Sequence, residues 1–160
     1  MAKNSVTARI VVADDHDIVR EGVRTLVERA RRGWEICGES PNGSDAVQAV
    51  RALKPDIVIL DLTMPVMNGL EAAARIRELK IGCRVLIFTM HESGALTAEV
   101  QEAGAHGCVL KSQASRDLIR AIDTLLAGGT FFGASQHSFS HVEAGRRLPP
   151  ATKFLVPVRF

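Results

Sequence analysis

Five short apolar runs alternate along this chain with segments whose apolar residues recur at helical spacing, and that alternation limits the fold more than any other feature. The runs are ARIVVA (8–13), WEICGES (34–40), DIVIL (56–60), RVLIF (84–88) and GCVL (107–110). Apart from the second, they are nearly unbroken by polar residues, which suits strands buried on both faces. Between them, Ile18, Val19, Gly22, Val23, Leu26 and Val27 mark the inward face of a first helix, with Gly33 as its stop signal. Ser44 is expected to cap a second helix, with Ala46, Val47, Ala49, Val50 and Leu53 inward and Lys54-Pro55 ending it. Asn68 is expected to cap a third, carrying Leu70, Ala73, Ala74, Ile76 and Leu79. A shorter helix is expected over 95–103, closed by Gly104, and a last one over 114–126, stopped by Gly128-Gly129. Five strands alternating with five helices imply a parallel sheet covered on both faces, a doubly wound α/β fold.

With 160 residues, 46% of them apolar, the chain can bury a core without disulfides or a structural metal. A formal charge of +2 argues against binding nucleic acid or an anionic membrane through bulk charge. Aromatics at 4% offer few stacking platforms for single-stranded nucleic acid. Cys37, Cys83 and Cys108 are odd in number and form no CxxC, which reads as reduced thiols in a cytoplasmic protein. No apolar run approaches the roughly 18 residues of a membrane span, and the start MAKNSVTAR is unlike a signal peptide. Composition divides near residue 132. Beyond it Arg146, Arg147, Lys153 and Arg159 stand against Glu143 alone, and no sustained period is visible. Residues 133–160 are therefore expected to be a tail, poorly ordered or packed on a partner.

The ends of the runs carry the chemistry. Asp14, Asp15, Asp61, Thr89 and Lys111 each stand at or just beyond the C-terminal end of an apolar run. In an open parallel sheet, ligands bind outside that edge. Three converging carboxylates repel one another unless a cation lies among them, and Lys111 brings only one positive charge. A hard divalent ion supplies the remainder, and Mg2+ suits a site of few carboxylates that keeps its waters. One carboxylate can then attack phosphorus, with Lys111 and Thr89 neutralising or hydrogen-bonding the phosphoryl oxygens. Asp61 is the best nucleophile, because it ends the central run while Asp14 and Asp15 sit together to hold the ion.

The pattern Asp14-Asp15, Asp61-x-x-Met64-Pro65-x-Met67-x-Gly69, Thr89 and Lys111 resembles the receiver domain of two-component response regulators, over about residues 8–132. The stretch LKSQASRDLIRAIDTLLAGGTFF is similar to receivers of the NarL/FixJ subfamily. The resemblance implies a flavodoxin-like (βα)5 fold with a five-stranded parallel sheet in the order 2-1-3-4-5. It implies that Asp61 accepts a phosphoryl group from a phosphohistidine on a sensor histidine kinase. Asp15 and Asp61 would ligate Mg2+ together with the backbone carbonyl of Thr63, and Asp14 would bind through a water. Thr89 would be the switch residue, Lys111 would pair with the phosphate, and Thr63 and His91 would tune dephosphorylation. A new dianion would draw Thr89 and Lys111 inward and shift a two-state surface around the fourth helix and fifth strand. Two positions depart from the family pattern. Cys108 stands where an aromatic switch residue is usual, and Met90 stands where the residue is commonly small.

Each residue taken alone also has a structural role open to it. Asp14-Asp15 would serve as a helix cap and first-turn acid, Asp61 as a strand-end turn residue and Lys111 as a solvated lysine. Met64 and Met67 are expected to pack, Cys108 to be a small buried hydrophobe, and His91 and His106 to lie on the surface. Arg146-Arg147 is expected to be a solvated pair. Other functions compete with a phosphoacceptor module. A Mg2+-dependent aspartyl-phosphate phosphatase or phosphotransferase of the haloacid-dehalogenase type needs DxDx[T/V], and Asp61-Leu62-Thr63 lacks the second Asp. A degenerate receiver acting only as a protein-binding module would not need all five polar residues. A DNA-binding regulator needs an output domain of about 60 residues, whereas 28 follow residue 132. The chain is therefore expected to serve transcription regulation by switching a protein-interaction surface, without specific DNA binding of its own. It is not expected to be an enzyme beyond self-phosphorylation from a phosphodonor and slow autodephosphorylation. A homodimer is left open.

Overall fold

Five strands alternate with five helices in the computed structural model, which describes residues 6–91 and 93–132. The strands are β1 (Ala8–Ala13), β2 (Trp34–Ser40), β3 (Ile57–Leu60), β4 (Arg84–Thr89) and β5 (Gly107–Leu110). The helices are α1 (Asp17–Ala30), α2 (Gly43–Leu53), α3 (Gly69–Leu79), α4 (Gly94–Glu102) and α5 (Ala114–Leu126), with a single 3-10 turn, Lys111–Gln113, between β5 and α5. All strand pairs are parallel, in the order β2-β1-β3-β4-β5. This is the flavodoxin-like doubly wound arrangement expected from the sequence. The order reverses at β1 and β3, so a crevice opens beyond their C-terminal ends. The tail expected over 133–160, with Arg146 and Arg147, lies outside the described residues.

Alternation of side chains along each strand divides the core in two. Ile10, Val12, Ile57, Ile59, Leu86 and Phe88 pack with Val23, Leu118, Ile122 and Leu125 under α1 and α5. Val11, Ala13, Val58, Leu60, Val85 and Ile87 pack with Ala46, Val50, Ala72, Ile76 and Val100 under α2, α3 and α4. Every residue of β3 is buried, which is why its run shows no polar alternation. At roughly 1.5–3 kcal/mol for each large aliphatic fully buried, these two layers dominate the local propensities of the elements. Among the described residues no helix is long and apolar enough to cross a membrane.

Several local expectations are corrected. The N-cap of α2 is Asn42, whose side-chain oxygen accepts the Asp45 N–H at 2.8 Å, and not Ser44. Gly43 begins that helix against the loop after β3, donating its N–H to the Met67 carbonyl at 3.0 Å. A Cβ at Gly43 would overlap that carbonyl, so a contact between elements sets where α2 starts. Helix α1 ends on Arg31 at φ 54°, two residues before Gly33. Its inward stripe is Val23 and Val27, with Val19 and Leu26 partly buried. Ile18, expected inward, is 77% exposed, and Gly22 is exposed as well. Beyond α5 the chain turns back along the free edge of β5, where Gly107 and Phe131 form a parallel bridge. Phe131 donates to the His106 carbonyl at 3.1 Å and accepts from the Cys108 N–H at 2.7 Å.

Candidate functional site

The main chain delivers Asp14 and Asp61 to the crevice by extending the strand ladder one residue past each strand. The Asp14 N–H bonds the Ser40 carbonyl, and the Asp61 N–H bonds the Ala13 carbonyl, both at 3.0 Å. Thr89 ends β4 in register with Leu110, next to Lys111. Lys111 then reaches across the edge, with Nζ 2.7 Å from Asp14 Oδ2 and 3.3 Å from Asp61 Oδ1. One carboxylate oxygen each from Asp14, Asp15 and Asp61, and a ring nitrogen of His16, lie within 4.8 Å of one another. Asp14, Asp61 and Thr89 are buried, whereas Asp15 and His16 open to solvent. Asp14 Oδ1 accepts the His16 N–H at 2.9 Å, and His16 Nδ1 lies 3.1 Å from Asp15 Oδ1.

The loop between β3 and α3 explains the residue pattern after Asp61. Asn68 caps α3 by accepting the Glu71 N–H at 2.9 Å, as its place in the sequence suggested. Gly69 donates to the Leu62 carbonyl at 2.8 Å, and a Cβ on it would overlap the Asp61 carbonyl oxygen. Glycine is thus required there by the close approach of α3 to the residue that carries the central carboxylate. Met64 is buried and Met67 partly buried in the core beneath, so both pack as expected.

Charge is the main constraint on this edge. Burial, reinforced by the neighbouring Asp14, raises the Asp61 carboxyl above its ordinary range, against the pull of Lys111. Burial alone would lower Lys111, but its contacts with Asp14 and Asp61 outweigh that and hold it above its usual value. Lys111 therefore stays an ammonium at neutral pH. Asp14 Oδ2 is buried and makes no hydrogen bond of good angle, although the Lys111 ammonium is close. Three carboxyl groups against one ammonium leave a deficit of about two positive charges when all are ionised. Hard oxygen donors, with one side open to water through Asp15, fit Mg2+.

Thr63 and His91 are exposed in the loops after β3 and β4, where the His91 N–H donates to Thr89 Oγ1 at 3.2 Å. Met90, next to His91 in the chain, is 70% exposed. Cys108 is partly buried against the core under α2, α3 and α4. Burial pushes the Cys83 thiol up to about 12 and raises Cys37 too, so neither is a nucleophile at neutral pH. His106, expected on the surface, is half-buried at the opposite end of the sheet, where its Nδ1 accepts the Val85 N–H at 3.0 Å. The residue that sequence reasoning missed is His16. Its only signal was adjacency to the acidic pair at the start of a helix.

A profile of the response regulator receiver domain matches residues 10–123, a span that holds every member of this cluster. The chain belongs to that family. It is 41% identical to a two-component response regulator of the LuxR family from Aurantimonas sp. SI85-9A1, known from a crystal structure. That match covers 88% of this chain and 99% of the other at a TM-score of 0.78. It is 36% identical to the nitrate/nitrite response regulator protein NarL of Escherichia coli K12, over 78% of this chain and 57% of that relative. The isolated receiver domain of RcsB from Salmonella enterica serovar Typhimurium, solved in the presence of the phosphomimetic BeF3-, is 26% identical. It aligns over 82% of this chain and 96% of that one, with a TM-score of 0.74. The chain spans about two thirds or less of the length of the curated relatives it matches.

Proposed function

We propose that this receiver accepts a phosphoryl group on Asp61 from a phosphohistidine of a sensor histidine kinase, with Mg2+ at the acidic edge, and that it responds by altering a protein-binding surface. The observation that carries this reading is the buried Asp61 carboxylate, 3.3 Å from the Lys111 ammonium and facing the Asp14-Asp15 pair. Asp15, Asp61 and the Thr63 carbonyl would hold the ion, with Asp14 reaching it through a water. Bound there, Mg2+ would offset the carboxylate charge and polarise the phosphoryl group. An Asp61 oxygen forms the new bond to phosphorus as the P–N bond breaks, its electron pair passing to the imidazole nitrogen of the donor. Lys111 pairs with one phosphoryl oxygen. Thr89 Oγ1 already accepts the His91 N–H, which leaves its own hydrogen to donate to another.

Cys108 supports a response without a rotating aromatic. Its N–H is bonded to the Phe131 carbonyl at 2.7 Å, so displacement of β5 by Lys111 reaches the chain beyond α5 through the backbone. The setting is the cytoplasm and the output is transcription regulation, in keeping with relatives named as transcriptional regulators.

Incubation with acetyl phosphate and Mg2+ followed by intact-mass analysis tests the reading. One added phosphate is expected in the wild type, and none in Asp61→Ala or after chelation of the metal. Label that persists in Asp61→Ala overturns the choice of nucleophile. No label and no beryllofluoride binding in the wild type would leave a protein-binding module only.

A further inference from the structure

Arg20, one turn into α1, is wrapped around the main chain that carries the acidic pair. Only 16% of its side chain is exposed, and its guanidinium works in three directions. Nη1 donates to the Asp14 carbonyl at 2.6 Å, Nε donates to Glu39 Oε1 at 3.0 Å, and Nη2 bonds Asp17. Glu39 belongs to β2 and is paired on its other oxygen with Arg24. Asp14 already donates its N–H to Ser40, the residue after Glu39. Both main-chain groups of Asp14 are therefore tied to the end of β2, one directly and one through Arg20. The Asp14 carbonyl shares a rigid peptide plane with the Asp15 nitrogen. Fixing that carbonyl fixes the direction in which Asp15 leaves the strand. The Asp15 side chain is one-third exposed, with His16 Nδ1 3.1 Å from its Oδ1.

We infer that Arg20 is a positioning residue for the acidic edge, holding the Asp14-Asp15 peptide in the orientation that a divalent cation requires, with Glu39 as its anchor. This rests on the reading above that Mg2+ is held there. Position and charge make opposite predictions. Arg20 is a permanent cation bonded to the main chain of the acidic pair, so removing its charge alone would tighten Mg2+ binding. Removing a positioning contact would weaken it. The planar fork also makes the contact specific, because a lysine ammonium is a single point that cannot reproduce the guanidinium's fixed directions toward both the carbonyl and Glu39.

Calorimetric titration of the full chain with Mg2+, alongside melting curves without metal, separates the two. Arg20→Gln is expected to weaken Mg2+ binding by about tenfold or more, as loss of a partner behind a metal ligand commonly does. Arg20→Lys should fall between that variant and wild type. Arg29→Gln, in the last turn of α1, removes a charge of the same sign without touching Asp14 or Glu39, and should leave affinity unchanged. Because Arg20→Lys keeps the charge and loses only the fork, weaker binding there comes from position alone, and it serves if Arg20→Gln fails to fold. Arg20→Gln that binds Mg2+ as tightly as wild type, or more tightly, overturns the inference while leaving the metal site standing. The same holds, where Arg20→Gln does not fold, for Arg20→Lys with unchanged affinity. A folded wild type that binds no Mg2+ overturns the metal site itself, and the inference with it.

Discussion

Val66 has the least comfortable backbone in the loop between β3 and α3. It follows Asp61 by five residues at φ 71°, a region that β-branched side chains avoid. The turn around it is closed by the Met67 N–H on the Pro65 carbonyl at 2.7 Å, a three-residue turn of strained hand. The side chain is 82% exposed, so burial does little to offset a strain on the order of 1–3 kcal/mol. Val66→Gly is therefore expected to stabilise the domain, by about 1 kcal/mol after the greater freedom of glycine in the unfolded chain is counted. A higher urea midpoint with unchanged slope would register this, and a lower midpoint would mean the exposed side chain contributes more than the strain costs. Gly69 is the converse case, needed for lack of a side chain against the Asp61 carbonyl and not for an unusual φ. The motif Met64-Pro65-x-Met67-x-Gly69 was legible from the start. That its variable position holds a strained turn was not, because φ at Val66 depends on how Asn68 and Gly69 dock α3.

At the scale of elements, β4 and β5 are joined at their N-terminal ends by a side chain where a ladder bond would stand. His106 donates its N–H to the Val85 carbonyl at 2.8 Å and accepts the Val85 N–H on Nδ1 at 3.0 Å. That acceptor exists only while the ring is neutral. Burial, and then Arg84, lower the His106 pKa from its usual 6.5, consistent with a neutral ring. A depressed folded value means that the stabilisation is present above the unfolded pKa and is lost as pH falls through the folded one. Melting temperature should thus decline as the pH drops below about 6.5. His106→Ala should cost about 1–3 kcal/mol at pH 8, by leaving a buried N–H without its partner, and should flatten that decline. An equal slope in both proteins would assign the pH dependence elsewhere. The site at the other end of the sheet should keep its Mg2+ affinity.

For the whole molecule, the acidic cluster that suits a cation is an electrostatic burden on the metal-free domain. The raised Asp61 pKa gives the sign. A carboxyl whose folded pKa lies above its unfolded value destabilises the fold increasingly as pH rises through the folded value, and does not do so below the unfolded one. Asp61→Asn should accordingly melt several degrees above wild type at pH 7 without metal, and the gap should close toward about pH 4 and below. Adding Mg2+ should raise the wild type more than the variant, because stabilisation follows affinity for the folded state. A variant less stable than wild type at pH 7 would show that the Lys111–Asp61 contact outweighs burial and the repulsion from Asp14.

Amino-acid order was enough to set the strands, the parallel sheet and the edge at which the polar residues gather. Burial on both faces leaves an unbroken apolar run, and in a parallel sheet every run ends at the same edge. The residues after the runs, Asp14, Asp61 and Lys111, therefore had to meet, and Thr89 had to end beside them. Packing between elements settled which neighbours those residues acquired. Asn42 caps α2 because Gly43 docks on the Met67 carbonyl, Ile18 is exposed because α1 turns Val23 and Val27 inward, and Arg20 bonds the Asp14 carbonyl while paired with Glu39 of β2. Periodicity reports which face of an element is apolar, a property of residues a few positions apart. Contacts between elements depend on distances in space that no local pattern encodes.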